Sequence, residues 1–273
     1  MDEPGRYLVY SVTKTYLGVL CLRLELDLEA PVATWIDDPR LPRASLRQLL
    51  DHTSGIPDYG RLPAYGQAVR ATPSEPWDDE ELLARALATG PDFEPGEGWA
   101  YSNTGFLLVR RIVDAVAAGG FAGALELDDL SPLVPGWSTE IGEDTLDVRG
   151  RYHPRWVGHR TLASTHADQR RFWTALVAGD LCDLARLTES VPIGFDAPGF
   201  VRPSYGLGLM TDPGWPAGLL VGHGGGGPGY RAAAFALVRT NDDPLVAIEL
   251  SGDERVDVQA EALDALRVRS TSG

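Results

Sequence analysis

Ser11 and Lys14 are the first residues in the sequence whose types and spacing suit covalent chemistry. Residues three apart on a helix share a face, so the amine of Lys14 can reach the hydroxyl of Ser11. A serine hydroxyl is a weak nucleophile until a neighbouring group removes its proton. The spacing therefore predicts a nucleophile and an amine at the start of a helix, where the helix dipole favours negative charge near Ser11.

Lys14 is also the only lysine among the 24 Lys and Arg residues of the chain. Arginine stays protonated in proteins, whereas a lysine amine can lose its proton when it is desolvated or placed beside other cations. A site that needs an ionisable amine must therefore use lysine. The alternative interpretation is the chance survival of one surface lysine.

A second candidate element is Tyr101-Ser102-Asn103, on a turn ahead of a predicted helix. A phenol held near a protonated lysine favours its ionised form and can then act as a base. The side chain of Asn103 can hydrogen-bond an amide of a substrate. Taken alone, the tripeptide also fits an ordinary turn with a buried tyrosine.

The third candidate element is the glycine-rich segment 222–230, which includes His223, Gly225 and Gly226 and lies between two predicted strands. Glycines let the backbone approach a ligand closely and present N–H groups to an oxyanion. A flexible hairpin loop is the alternative interpretation of this segment.

In this order, the three elements resemble the active site of serine β-lactamases and penicillin-binding proteins. The Tyr-x-Asn version is similar to class C β-lactamases, D-amino-acid peptidases and β-lactamase-like esterases. The resemblance spans residues 8 to about 250 and includes further segments at 49–59, 95–97, 164–168 and 205–208.

The resemblance implies a serine hydrolase that acts through an acyl-enzyme on an ester, amide or β-lactam-like substrate. Ser11 would attack the carbonyl, and Lys14 and Tyr101 would share removal of its proton and later activation of water. Backbone N–H groups of Ser11 and Gly226 would form the oxyanion hole. The residues expected to bind the substrate are Asn103, His223, Gly225 and Gly226, and no cofactor or metal is expected.

The resemblance also implies an α+β fold of the β-lactamase/transpeptidase type, with an antiparallel sheet flanked by helices and a mainly helical lobe. A single domain is expected over 1–273, with the helical lobe at about 40–200 and the sheet lobe formed by about 1–39 and 201–273. Only ten residues precede Ser11, so the family's N-terminal strands are expected to be missing and one sheet edge to be exposed.

The third element departs from the family in a way that bears on the substrate. His223 stands where the family has a lysine, and Gly224 replaces a hydroxyl residue. Both family residues help to hold a substrate carboxylate, so a neutral ester or amide is favoured over a β-lactam. His52 and Gly55 are expected to be structural, with Asp58 or Tyr59 as candidate pocket residues.

Hydrophobic periodicity predicts most of the elements that position these residues. Helices are expected over 11–24, 44–51, 78–88, 103–118, 165–178 and 254–268, and strands over 219–222, 230–239 and 245–250. Residues 60–77 are interpreted as a loop and 119–160 as irregular.

Composition restricts the partners. The formal net charge of -15 argues against nucleic acid and anionic membranes, both of which attract clustered Lys and Arg. The sequence has no run of about 18 apolar residues, so no membrane-spanning helix is expected. The expected partner is a small-molecule or peptide-like acyl substrate. The location is expected to be cytoplasmic as the sequence stands, or exported if an N-terminal segment is missing; the oligomeric state is not predicted.

The sequence also bears on four other interpretations. An α/β-hydrolase needs Gly-x-Ser-x-Gly, and a phosphate-binding loop needs Lys-Ser or Lys-Thr after its glycines; the sequence has neither. A zinc site from His153, His159 and His166 is disfavoured by their spacing, and these histidines are interpreted as surface-loop residues. A catalytically weak or inactive truncated relative that serves as a binding protein stays open as the alternative function.

Overall fold

An antiparallel sheet dominates the C-terminal part of the chain in the computed structural model, which describes residues 6–125, 152–240 and 242–271. A separate two-stranded ribbon pairs β1 (Tyr7–Leu8) with β2 (Ala163–Ser164). The strand order of the main sheet is β3 (Val191–Pro192), β4 (Ser204–Tyr205), β5 (Met210–Asp212), β6 (Leu219–Gly227), β7 (Tyr230–Val238) and β8 (Leu245–Ser251).

Most of the helices lie between the two strands of the ribbon or just after it. They are α1 (Thr13–Arg23), α2 (Leu46–Leu50), α3 (Pro63–Ala71), α4 (Asp79–Leu87), α5 (Asn103–Val116), α6 (Gly120–Leu125), α7 (His166–Ala178) and α8 (Leu184–Leu187), and α9 (Val258–Thr271) follows the sheet. Helices and an antiparallel sheet in this arrangement confirm the predicted α+β fold.

Strand β7 shows how the sheet joins two cores. Ala232, Ala234 and Ala236 belong to the main core, whereas Ala233, Phe235 and Leu237 belong to a second core. Successive strand residues point to opposite faces, so both faces of the sheet are covered. The second core includes Ala262, Leu263 and Leu266 of α9, which therefore covers one face of the sheet.

Helix α1, which carries Lys14, runs through the interior of the molecule. Its residues from Thr13 to Cys21 are all buried. A Cβ on Gly18 would lie 2.0 Å from the carbonyl oxygen of Leu207, and one on Gly208 would lie 2.4 Å from that of Lys14. Only glycine permits such close backbone approach, so the 206–208 segment packs directly against the helix and fixes its position.

Local sequence signals at two helix starts are confirmed. The Asp78 side chain accepts a hydrogen bond from the backbone N–H of Glu81, and that of Thr165 accepts one from Asp168. Each cap satisfies one of the backbone donors that the first turn of a helix leaves free.

Three predictions of local structure are wrong. Residues 60–77 include α3, whose Pro63 occupies the first turn, where a missing N–H costs nothing. The irregular segment 119–160 includes α6, and its residues 126–151 lie outside the described part. The glycines assigned to a loop are instead part of β6, which continues to Gly227.

Strand β8 lies at one end of the sheet in the described part of the chain. Side chains cover its outer edge: Arg170 and Arg269 donate hydrogen bonds to the carbonyl oxygen of Val246, at 3.2 and 2.8 Å. The N–H of Leu250 donates to Nε2 of His166. Charged side chains along an edge discourage pairing with another chain. No helix in the described ranges is long and apolar enough to cross a membrane.

Candidate active site

Ser11 lies on a single 3₁₀ turn, Tyr10–Val12, that leads directly into α1. Tyr10 has a φ of 46°, in the left-handed region that side chains with a Cβ rarely adopt. Its N–H donates to Oγ1 of Thr161, and its phenol donates to the carbonyl oxygen of Pro228. These contacts hold a strained backbone immediately before the nucleophile, a common arrangement at functional sites.

Lys14 lies in the first turn of α1, and its side chain is fully buried. Nζ lies 3.1 Å from Oγ of Ser11, 2.8 Å from Oδ1 of Asn103 and 2.5 Å from Nε2 of His159. The alternative of a surface lysine is therefore wrong. The predicted contact between amine and hydroxyl is present, and the amine is surrounded by hydrogen-bond partners.

Burial lowers the pKa of Lys14 well below its usual value, and the nearby carboxylate of Asp58 raises it only in part. Desolvation disfavours a charged amine because the protein interior solvates the charge poorly. The neutral amine is therefore favoured at moderate pH, which is the form that can accept a proton from Ser11.

Tyr101 is the second group on the nucleophile, hydrogen-bonded to the Ser11 side chain. Burial raises the pKa of its phenol, and the hydrogen bond with Ser11 lowers it by less. Lys14 Nζ lies 4.8 Å from the centre of the ring. The expectation that Lys14 would hold Tyr101 ionised is not met, because burial disfavours charge on both groups. The neutral phenol can donate a proton or a hydrogen bond at Ser11 Oγ.

Asn103 begins α5, after Ser102, whose side chain caps the helix by accepting from the N–H of Gly105. Its Nδ2 donates to Oδ2 of Asp58 while its Oδ1 accepts from Lys14. Asp58 also accepts from the N–H of Asn103. The amide therefore orients Lys14 inside the protein, and its second N–H on Nδ2 is the one left for a substrate.

Asp58 and His52 hold this turn from the other side. Asp58 is 7% exposed and accepts a hydrogen bond from the side-chain amide of Asn103. It therefore contacts the site through Asn103 and does not line the cleft itself. His52 Nδ1 accepts from the N–H of Ser102, and burial lowers the pKa of its imidazole. This contact agrees with the structural role predicted for His52.

The glycines of β6 form the wall opposite Ser11. A Cβ on Gly225 would lie 2.2 Å from the carbonyl oxygen of Val9 and 3.1 Å from the backbone nitrogen of Ser11. Strand β5 pairs with β6 over Leu220–Gly222, and β6 continues beyond it. The backbone N–H and C=O groups of an antiparallel strand point alternately to its two sides. Beyond Gly222, β6 is paired with β7 alone among the described strands, so every second residue directs these groups away from β7. The strand, rather than a loop, thus carries the backbone near the predicted oxyanion position at Ser11 and Gly226.

His223 is 3% exposed, and both ring nitrogens are engaged. Nδ1 lies 2.5 Å from the carbonyl oxygen of Gly224, and Nε2 lies 2.8 Å from the hydroxyl of Tyr205. These partners assign the proton to Nδ1. Burial lowers the pKa of His223 to about 3, with the proximity of Lys14 adding to the effect. The ring is neutral, so it offers no cation to a substrate carboxylate.

Two clefts meet at Ser11 and Gly226. One, of about 540 Å³, runs past His223 to the charged side chains of Arg231, Glu254, Arg255 and Asp257. The other, of about 390 Å³, is lined chiefly by aromatic and aliphatic side chains, namely Tyr10, Tyr59, Tyr65, Tyr152, Val69 and Val157. A substrate bonded to Ser11 thus has space on both sides of its carbonyl. Tyr59 lines the second cleft, in agreement with its prediction as a candidate pocket residue.

His159 is the residue that the sequence did not assign to the site. Its interpretation as a surface-loop residue is wrong: its ring is 1% exposed and touches the amine of Lys14. Nothing in the spacing of His153, His159 and His166 could show this, because the contact joins positions 145 apart in sequence. His153 and His166 are only partly buried.

A helix-borne serine and buried lysine, a tyrosine on the nucleophile and a facing antiparallel strand occur here within a β-lactamase/transpeptidase-like fold. The family model described as Beta-lactamase matches residues 1–266. The chain therefore belongs to the beta-lactamase family, as the sequence motifs predicted.

Among curated relatives, the chain is 26% identical to penicillin-binding protein 4* of Bacillus subtilis (strain 168), over 88% of this chain and 58% of that protein. It is 28% identical to a D-aminopeptidase of Cereibacter sphaeroides, over 86% of this chain and 48% of that protein. The chain thus spans about half the length of the curated relatives it matches.

Solved structures agree with the fold. A D-stereospecific amidohydrolase from Streptomyces sp. superposes with a TM-score of 0.80 at 28% identity, covering 96% of this chain and 86% of that one. A D-amino acid amidase from Ochrobactrum anthropi, at 20% identity and a TM-score of 0.78, shares the fold.

Proposed function

We propose that this chain is a serine hydrolase that forms an acyl-enzyme on Ser11 with a neutral amide or ester. The observation that carries the proposal is the buried amine of Lys14, 3.1 Å from the hydroxyl of Ser11. A fully buried lysine is costly to keep charged, so a structural role for its charge is a weak explanation. A base beside a serine is the arrangement that activates such a nucleophile.

The steps follow from the neutral state of both partners. Lys14 takes the proton of Ser11 as Oγ bonds to the substrate carbonyl carbon. Backbone N–H groups of Ser11 and Gly226 stabilise the oxyanion, and the leaving amine or alcohol departs with a proton returned through Tyr101 or Lys14. Water then adds to the acyl carbon and loses a proton to the neutral amine of Lys14, and that proton returns to Oγ as Ser11 is released.

The preference for a neutral substrate rests on His223. The position that would face a carboxylate holds a neutral imidazole with both nitrogens engaged. A carboxylate beside the neutral ring of His223 meets no cation there, which disfavours its burial. The arginines that line the same cleft, Arg231 and Arg255, are ion-paired with Glu254 and Asp253. The names of the D-aminopeptidase relative and the D-stereospecific amidohydrolase make amides of D-amino acids the first substrates to test.

The two clefts suggest how such a substrate is divided. The cleft lined by Tyr10, Tyr59 and Tyr152 suits an apolar or aromatic side chain. In the other cleft, Asp257 provides a carboxylate for an α-ammonium group, whereas Glu254 is already ion-paired with Arg231. D-phenylalaninamide combines both features in one small molecule.

A substrate panel tests the proposal. Hydrolysis of D-phenylalaninamide, L-phenylalaninamide, p-nitrophenyl acetate and nitrocefin is measured for the parent chain and for Ser11→Ala, which removes the nucleophile without adding bulk. Turnover of the acetate or an amide above that of nitrocefin is expected, with Ser11→Ala reduced to the background rate. Binding of these compounds without turnover would instead support the alternative of a non-catalytic binding protein.

A further inference from the structure

His159 lies between two anchored neighbours. The N–H of Gly158 donates to the hydroxyl of Tyr59 at 2.8 Å. Arg160, in the left-handed region with a φ of 68°, forms an ion pair with Asp79 at the start of α4. A residue with a Cβ at such a φ is strained and persists only where its surroundings hold it. The backbone on both sides therefore fixes the ring of His159 against the catalytic amine.

The amine of Lys14 has a partner for each of its bonding directions. A neutral amine has two N–H donors and one lone pair. Oδ1 of Asn103 accepts one hydrogen, because Nδ2 of that amide is turned to Asp58. Nε2 of His159 accepts the other at 2.5 Å. The lone pair is then left for the hydroxyl hydrogen of Ser11, at 3.1 Å.

The same three hydrogen-bond partners also suit the amine after it has taken the proton. The ammonium has three N–H donors, and Asn103 Oδ1, His159 Nε2 and Ser11 Oγ are its acceptors. Neither protonation state leaves a buried donor unpaired on Nζ. Without His159, one N–H would lose its partner, and the lone pair could turn away from Ser11.

This geometry requires a neutral imidazole with its proton on Nδ1. Nδ1 is buried and has no hydrogen-bond partner among the described residues. The charged and titratable groups that face His159 are Lys14 on α1, Arg110 on α5, His223 on β6 and the adjacent Arg160. Burial first, and then the proximity of these basic groups, lower the pKa of His159 well below its usual value, so the imidazole is neutral. With its one proton on Nδ1, this neutral ring keeps the lone pair of Nε2 available to the amine.

We propose that His159 is a positioning residue for the nucleophile: it accepts a hydrogen bond from Lys14 Nζ and so keeps the amine lone pair directed at Ser11 Oγ. The inference rests on the proposed hydrolase function and deepens it. It assigns to this chain a third partner of the catalytic amine, besides Ser11 and Asn103.

Three variants separate this role from a structural one. His159→Leu removes the acceptor at similar volume, and His159→Gln restores one, because its Oε1 stands as many bonds from Cβ as Nε2 does. His153→Gln is the matched control, a partly buried histidine that lines neither of the two clefts at Ser11. For His159→Leu we expect kcat for p-nitrophenyl acetate to fall about 100-fold with KM nearly unchanged, and His159→Gln to recover most of the loss.

The single lysine allows a readout that does not depend on turnover. Protein carrying carbon-13 at the lysine ε position gives an NMR signal from Lys14 alone, and its titration reports the pKa of the amine. A hydrogen bond to the charged form favours that form. The pKa of Lys14 is therefore expected to fall in His159→Leu, to stay near the parent value in His159→Gln and to be unchanged in His153→Gln. The acid limb of kcat/KM is expected to move to lower pH with it.

The outcomes are distinguishable. A Lys14 titration in His159→Leu that matches the parent, or a kcat equal to that of His153→Gln, overturns the positioning role. A His159→Gln variant as slow as His159→Leu also contradicts it, since the acceptor would then be irrelevant. If His159→Leu does not fold, His159→Gln still tests the positioning role. A Lys14 pKa or a kcat in His159→Gln that lies far from the parent value would refute the role. A parent chain without turnover overturns the hydrolase function, while the titration still decides whether His159 bonds to Lys14.

Discussion

The electrostatics of single residues favour Lys14 over Tyr101 as the base at Ser11. Burial lowers the pKa of the amine and raises that of the phenol, so both groups are neutral before reaction. A neutral amine accepts a proton, whereas a neutral phenol can only donate one. We therefore propose that the two groups divide the work, with Lys14 taking the proton from Ser11 and Tyr101 serving as a donor.

Replacing Lys14 by Arg tests the need for an ionisable amine. The guanidinium keeps the charge but stays protonated, so it cannot act as a base. We expect kcat/KM for p-nitrophenyl acetate to fall about 10³-fold, within the range that a positioned base contributes. Steady-state kinetics check this, with circular dichroism as the folding control. Activity within a few-fold of the parent would rule out proton transfer to Lys14.

The pH dependence follows from the same amine. Lys14 must be neutral to act, so kcat/KM falls as the pH drops through the pKa of Lys14. Because burial lowers that pKa well below its usual value of about 10.5, activity should already be present at neutral pH. A pH profile of p-nitrophenyl acetate hydrolysis, corrected for spontaneous hydrolysis, measures the midpoint. A rise in activity centred near pH 10 would contradict the burial effect.

Local motifs predicted that Ser11 lies beside Lys14 and that Tyr101 lies close to Asn103. The family resemblance predicted that these two pairs meet in one site. Neither was sufficient for His159 or for the engaged ring of His223. These depend on long-range packing and on hydrogen bonds to Lys14 and Tyr205, which no local pattern encodes.

The elements that matter most are β6 and the turn Tyr10–Val12 that leads into α1, because the backbone of β6 lies directly against residues 9–11. Helix periodicity predicted α1 closely, and apolar runs predicted the start of β6. The continuation of β6 through Gly227 was missed since glycine has a low strand propensity. Tertiary contact explains the strand: a Cβ at Gly225 would collide with the Val9 carbonyl, and one at Gly227 with the Tyr10 ring.

Gly225→Ala tests this close approach. A Cβ 2.2 Å from the carbonyl oxygen of Val9 must push β6 away from the nucleophile. We expect a loss of about 1–3 kcal/mol in the free energy of unfolding from overpacking, and a fall in kcat of about 100-fold from misplacement.

The matched control is Gly105→Ala on α5, where the nearest atoms to a new Cβ lie at 3.7 Å. That variant should be as stable as the parent or slightly more so, since alanine favours the helix. Urea unfolding and kcat for p-nitrophenyl acetate measure both effects. Equal behaviour of the two variants would show that the strand does not need glycine at 225.

The net charge of the whole molecule should disfavour anionic substrates at long range, in addition to the local effect of the neutral His223 ring. A formal net charge of -15 surrounds the clefts with a negative potential on average, which lowers the local concentration of anionic substrates. We therefore expect carboxylate-bearing substrates to be disfavoured at two scales, by the field of the molecule and by the neutral imidazole in the cleft.

Salt dependence separates these two contributions. Raising the ionic strength screens long-range repulsion: at 0.1 M salt, charges more than about 10 Å apart interact only weakly. We expect kcat/KM for nitrocefin, a carboxylate, to rise with added sodium chloride while that for neutral p-nitrophenyl acetate stays constant. At all salt concentrations the acetate should remain the faster substrate. Nitrocefin turnover at or above the acetate rate would overturn the predicted preference for neutral substrates.

The central claim, that Ser11 is a nucleophile activated by Lys14, is tested most directly by covalent labelling. The parent chain, Ser11→Ala and Lys14→Arg are each treated with a fluorophosphonate, digested and analysed by mass spectrometry. One adduct on Ser11 is expected in the parent, none in Ser11→Ala, and a labelling rate in Lys14→Arg reduced about as much as its turnover. A folded parent chain without an adduct, or with the adduct on another residue, would contradict the claim.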